Sequence, residues 1–277
     1  MKIQEAIDRI CKWHEPFVEH ENGRDKVLCG NTDQECTGIG VTVCATYDVI
    51  RKAVEQNINF IITHESIFFG GRIDTDGLEE NAVYQEKRRL IEENNIVIWR
   101  DHDRLHGNGR PFHPERKRND YIFYGICQEL GWEDYIVDDP MKPTLYKIPQ
   151  MSAGAFADLL MDRFGLEGLR IVGDLETPVS IVWFSEHTMG NKNDGVAVRK
   201  AQSADAIIPF EICDYTLTQY VRDAAAMGKK KVLLEMGHFN CEELGMQHCL
   251  KWLPEALGTD VSIRFLKAGD QFGYVTR

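Results

Sequence analysis

The feature that most constrains this chain is a repeated one: a short apolar run that stops abruptly at a polar turn carrying histidine. Asn59-Phe60-Ile61-Ile62-Thr63 stops at His64-Glu65-Ser66. Asn95-Ile96-Val97-Ile98-Trp99-Arg100 stops at Asp101-His102-Asp103-Arg104-Leu105-His106. Lys231-Val232-Leu233-Leu234-Glu235 stops at Met236-Gly237-His238. Apolar runs without polar alternation read as strands covered on both faces, as parallel sheets are. Further strands are expected at 40–45, 179–184 and 206–210. Helical patterns lie between the strands at 47–56, 80–94, 120–130 (closed by Gly131), 152–164 and 215–226. This alternation predicts an α/β protein with largely parallel pairing. The segment Val137-Asp138-Asp139-Pro140-Met141-Lys142-Pro143 is the expected boundary, separating an N-terminal α/β lobe (1–140) from a C-terminal one (141–277). The two can also be counted as one double-lobed domain.

Ligands of open α/β sheets bind beyond the carboxyl ends of the strands. Three strands deliver histidine there: His64, His102 with His106, and His238. Carboxylates accompany each, namely Glu65, Asp101 or Asp103, and Glu242. Imidazole and carboxylate together suit borderline divalent ions such as zinc, iron(II) and manganese. A lone histidine after a strand is most often a hydrogen-bonded loop residue, so the joint pattern carries the expectation of a metal site. The spacing of Asn240 and Glu243 predicts a capping box, hence a helix starting near 240 with Glu242 in its first turn.

Composition narrows the partners. Of 277 residues, 32 are lysine or arginine and 44 are acidic, giving a formal charge of −12. That balance disfavours a generic duplex-DNA or anionic-membrane binder. Eight cysteines occur without a Cys-x-x-Cys spacing and read as reduced thiols. No run approaches ~18 apolar residues, and charges stand where a leader would be apolar, so a cytoplasmic protein is expected. Neither Gly-x-Gly-x-x-Gly nor a Walker loop is present, against a metal-free nucleotide fold.

The same residues resemble the Nif-three-like family, also called the type 2 GTP cyclohydrolase I family. Ile61-Ile62-Thr63-His64-Glu65-Ser66-Ile67-Phe68-Phe69 falls on that family's Ile-Ile-x-His-His-Pro-Leu-x-Phe. His102-Asp103-Arg104-Leu105-His106 falls on its His-Thr-Asn-Leu-Asp, and Gly237-His238 through Glu242 on its Gly-His-Tyr-x-Ser-Glu. Order and spacing agree from about Asp25 to Tyr274. The resemblance implies two facing α/β lobes with a dinuclear metal site in the cleft between them, and a toroidal homohexamer. Carried over by position, the metal ligands are His64, Glu65, His106, His238 and Glu242, with His102 close by as a second-sphere residue or proton carrier. Glu65 replaces a histidine and His106 an aspartate. The exchange keeps three imidazoles and two carboxylates, although loss of that metal position is the competing reading. His64 and His238 would hold one ion, Glu65 and His106 the other, and Glu242 would bridge them.

Two divalent ions against two carboxylates leave excess positive charge, which favours a small anionic or carbonyl-bearing substrate. The expected function is a metal-dependent hydrolase acting on such a substrate, for instance a nucleotide. GTP cyclohydrolase-type ring opening is the activity the resemblance implies. A non-enzymatic metal-binding scaffold or interaction protein is the alternative. Arg100, Arg104, Arg110, Arg116, Lys117 and Arg118 are candidates to receive phosphates, Arg116 to Arg118 reading better as a solvated loop. His113, the 187–195 loop and Glu211 are weaker candidates, and the loop reads as an ordinary turn.

Overall fold

The computed structural model describes residues 1–70, 75–107, 120–190 and 194–275. Two compact units emerge: Met1–Gly125 with Gly245–Ala268, and Ile126–Leu244 with Gly269–Arg277. The chain therefore enters each unit twice, instead of dividing once near residue 140.

In the first unit, β1 (Lys26–Cys29), β2 (Ile39–Thr42), β3 (Phe60–Thr63), β4 (Val97–Arg100) and the late strand β10 (Ile263–Phe265) form one sheet in the order β1-β4-β3-β2-β10. The β10, β2, β3 and β4 neighbours run parallel, and β1 closes the edge antiparallel to β4. Every residue of β2, β3 and β4 is buried, as apolar strands covered on both faces must be. Helix α1 (Ile3–Trp13) precedes the sheet, and α2 (Tyr47–Glu55) and α3 (Ala82–Glu93) follow β2 and β3. Val49, Ile50 and Ala53 of α2 and Tyr84 and Ile91 of α3 share a core with Ile61 and Ile98 of the sheet. Side chains close both helix starts. The Thr46 hydroxyl accepts from Val49 N, and the Asn81 side chain from Val83 and Tyr84 N.

In the second unit, β5 (Leu145–Ser152), β6 (Arg170–Val172), β7 (Pro178–His187), β8 (Ala206–Glu211) and β9 (Val232–Glu235) take the order β5-β7-β8-β9-β6. The β7-β8-β9 centre is parallel, with antiparallel β5 and β6 at its edges. Trp183, Ile207 and Leu233 meet Ala197 and Ala201 of a helix at Asp194–Ala201, together with Leu217 and Val221. The single helix expected over 215–226 is broken. A wider turn spans Asp214–Thr218 before a helix over Gln219–Ala226, because Thr216 leaves helical geometry at φ −113°, ψ −124°. The Thr216 hydroxyl donates to the Cys213 carbonyl at 2.8 Å.

Among the described residues, no helix is long and apolar enough to cross a membrane. Arg110, His113, Arg116, Lys117, Arg118 and part of the 187–195 loop lie outside the described residues.

Candidate metal centre

Strands β3 and β4 are parallel neighbours with Thr63 paired to Arg100, so His64 and Asp101 leave the sheet side by side. Backbone bonds tether both: His64 N to the Thr42 carbonyl at 3.2 Å, and Asp101 N to the Thr63 carbonyl at 3.0 Å. His64 Nδ1 lies 3.3 Å from the Asp101 carbonyl oxygen. A carbonyl only accepts, so Nδ1 carries the proton and the Nε2 lone pair is left for a ligand. His106 repeats the device, its Nδ1 lying 3.0 Å from Asp120 Oδ2. The two Nε2 atoms then face each other at 3.1 Å. Two lone pairs held that close repel unless a cation lies between them. The donor chemistry therefore fits a divalent metal.

The His102 ring stacks on His64 with centroids 4.4 Å apart and planes 10° from parallel, and lies 4.8 Å from the His106 ring. One donor atom from each of His64, His102 and His106 falls within a sphere of mutual separations no greater than 4.8 Å. His102 Nδ1 is 3.0 Å from Asp103 Oδ1, and Arg24 Nη1 lies 3.0 Å from its Nε2. Burial, followed by the neighbouring His64 imidazole, pushes the His102 pKa down to about 2, so this ring stays neutral. Asp25 shapes the turn that carries it. The Asp25 carboxylate accepts from His102, Asp103 and Arg104 backbone N–H groups at 2.6, 2.7 and 3.0 Å.

Glu65 is turned toward Arg100. The buried guanidinium donates from Nη2 to Glu65 Oε2 at 2.7 Å and from Nε to the His64 carbonyl at 2.9 Å. Glu65 Oε1 is 3.8 Å from His102 Nε2. Arg100 thus aims the turn bearing two proposed donors and is not a phosphate receiver. Arg104 is likewise corrected: it is buried, and it pairs with Asp25 at 3.0 Å and with Glu19. A buried guanidinium whose donors are spent on two carboxylates is not free to clamp a substrate.

The second unit carries another cluster. Gly237, at φ +92°, turns the chain from β9 into the helix His238–His248. A Cβ at Gly237 would come within 2.7 Å of the Phe272 ring. The helix starts two residues earlier than expected, so Asn240 and Glu243 form no capping box. Asn240 Nδ2 instead donates to the Met236 carbonyl at 2.7 Å and to Asp270 at 3.0 Å, and Glu243 accepts from Gly269 N at 3.2 Å. His238 and Glu242 stand one helical turn apart, with Nε2 and Oε2 2.9 Å apart. His238 Nδ1 is 2.6 Å from Glu211 Oε1, and His187 Nδ1 is 2.7 Å from Glu211 Oε2. His187, Glu211 and His238 form another group of metal-competent donors. Burial alone would raise the Glu211 pKa, but hydrogen bonds from His187 and His238 outweigh it and bring the carboxyl down to about 2. For His238, burial pulls downward, yet the bonds to Glu211 and Glu242 prevail and lift its pKa to about 10.

Of the proposed donors, His64, Glu65 and His106, with His102, belong to the first unit, and His238 and Glu242 to the second. Asp120, Asp25 and Arg24 were not anticipated. Asp120 had a legible signal, since it directly precedes the helix Tyr121–Leu130 and accepts from Phe123 N at 2.9 Å. In sequence, His187 belongs to what reads as an ordinary turn, and Glu211 stands out only weakly. Their adjacency depends on the pairing of β7 with β8, which places His187 opposite Glu211.

Residues 1–105 match the family described as Duf34/NIF3 (NGG1p interacting factor 3). A Staphylococcus epidermidis protein named GTP cyclohydrolase 1 type 2 homolog is 35% identical over 179 residues, covering 64% of this chain and 44% of the relative. The chain therefore spans less than half the length of that curated relative. Among solved structures, Staphylococcus aureus protein SA1388 aligns with a TM-score of 0.70 at 16% identity, covering 99% of both chains. A Bacillus cereus protein related to NIF3 aligns with the same TM-score at 14% identity, also over 99% of both. These two likenesses establish the fold.

Proposed function

We propose, taking as premise that this chain is a member of the Nif3-like family, that it binds divalent metal and is a metal-dependent hydrolase of a small anionic substrate such as a nucleotide. The observation that carries the metal reading is the 3.1 Å approach of His64 Nε2 to His106 Nε2, each ring having its Nδ1 engaged elsewhere. His64 and His106 hold metal in this reading, and Glu65, kept in place by Arg100, contributes its second oxygen. His102 stays neutral and packs flat on His64, which fixes the ring orientation; with its pKa held down at about 2 it serves as a neighbour of the ligands and not as a proton carrier. His238 and Glu242 are the donors of the second unit. Their joining with the first group into a dinuclear centre rests on the family resemblance, as does assembly into a homohexamer. Divalent ions, when bound, acidify water and polarise the bond to be cleaved. Arg24, about half exposed beside His102, is the cation placed to meet a substrate anion.

The test is elemental analysis of gently purified protein, followed by assay against a nucleotide panel that includes GTP. Two ions per chain support the compensated exchange at Glu65 and His106, and one ion supports loss of that position. Hydrolysis that survives His64→Ala and His106→Ala unchanged would overturn the reading. A closed, non-catalytic metal scaffold is favoured by one observation, the complete burial of His64. Water-proton relaxation of the manganese-loaded protein separates the two readings, because exchangeable water on the ion enhances relaxation and a closed site does not.

A further inference from the structure

Glu211 belongs to neither the family ligand set nor the donors assigned above, yet it is bonded to two imidazoles at once. We propose that Glu211 is the positioning residue that makes His238 a metal ligand, with His187 as the clamp that holds Glu211 in place. The inference rests on the reading of His238 and Glu242 as donors.

The geometry is a string of alternating rings and carboxylates: His187 to Glu211 at 2.7 Å, Glu211 to His238 at 2.6 Å, and His238 to Glu242 at 2.9 Å. Carboxylates thus flank His238 on both ring nitrogens, and an imidazole that ligates a metal keeps only one proton. If Glu242 took it, Nε2 would carry hydrogen and could not ligate. When Glu211 takes it, Nδ1 carries the hydrogen and the Nε2 lone pair faces the same space as Glu242, as an ion shared by the two requires. Glu211 reaches this position from the end of β8, where its register partner His187 occupies its other oxygen. Phe210, buried beneath both rings, packs edge-on to His187 at 5.8 Å and roughly face-on to His238 at 5.5 Å. Neither ring is left to choose its own orientation.

A separate cation seated between His187 and His238 is the rival use of the same atoms. It would need the Nδ1 lone pair of His238 while Nε2 serves the other ion, so the ring would have to lose both protons. The hydrogen-bonded arrangement needs no such step.

The test is titration of chelator-stripped, full-length protein with cobalt(II), read by equilibrium dialysis and by the visible spectrum. Glu211→Gln is expected to weaken cobalt binding by roughly 10–100-fold, the usual penalty for losing a carboxylate that orients a ligating histidine. The far-UV circular dichroism of the stripped variant should match wild type. His187→Ala, at a half-exposed position that carries little folding risk, is expected to retain the wild-type number of ions and spectrum with a smaller loss of affinity. Equal affinity in wild type and Glu211→Gln would overturn the proposal. So would His187→Ala losing a whole ion per chain, because His187 would then be a ligand. A wild-type protein that binds no cobalt overturns the underlying metal reading instead, and is told apart by needing no variant.

Discussion

At the residue scale, one carboxylate carries two duties. Asp120 starts a helix with one oxygen and orients His106 with the other. Asp120→Asn preserves a capping acceptor but weakens the bond to His106. Thermal stability should therefore stay near wild type while metal affinity falls roughly tenfold or more, measured by cobalt titration. Asp120→Ala should add a stability loss of ~1 kcal/mol in denaturant unfolding. His238 offers a test in pH. In the metal-free protein its pKa is lifted from 6.5 to about 10, despite the downward pull of burial, by hydrogen bonds to Glu211 and Glu242. A raised pKa means the folded state holds the proton more tightly. The stabilisation is therefore complete below the unfolded value and is lost as pH rises toward about 10. Urea unfolding of metal-free protein across pH 6 to 10 should show this decline, flattened in His238→Gln.

At the element scale, the sheets place the chemistry and the helices hold it. The parallel register of β3 with β4 puts His64 beside the turn that carries His102 and His106. Ile98 is fully buried against the α2–α3 layer, so Ile98→Ala should cost ~2–5 kcal/mol. A tighter constraint lies within the first unit, where Gly245 meets the helix that follows Asp120. A Cβ at Gly245 would come within 2.6 Å of the Ile122 carbonyl oxygen and 2.9 Å of its Cα. Backbone cannot yield as a side chain tip can. Gly245→Ala should destabilise by ~1–3 kcal/mol in chemical denaturation and, by shifting Asp120, should loosen metal at His106.

At the scale of the whole molecule, the proposed centre links metal binding to stability. An ion that binds only the folded chain adds ~2.7 kcal/mol at a hundred times its dissociation constant. Chelator should lower the thermal midpoint, and added zinc or manganese should restore it, measured by paired thermal scans. His64→Ala should abolish the difference between those scans. Light scattering tests the hexamer expected from resemblance, which requires six times the mass of the 277-residue chain.

The sequence by itself determined the α/β class, the buried parallel strands and the histidine turns beyond them. These are written in local terms, as apolar runs and the residues that end them. It also put Glu242 close to His238, whereas their i, i+4 contact within one helical turn depends on the helix beginning at His238. The tertiary structure decided everything that depends on which strands lie side by side. The return of β10 to the first sheet, the pairing of Arg100 and Arg104 with carboxylates distant in the chain, and the pairing of His187 with Glu211 were illegible for that reason. The premature start of the helix His238–His248 has a similar cause: Gly237 supplies the turn, and Asp270, distant in the chain, takes the side chain that would otherwise have capped the helix. Local pattern sets what a segment prefers, whereas burial and register settle which partners its polar atoms find.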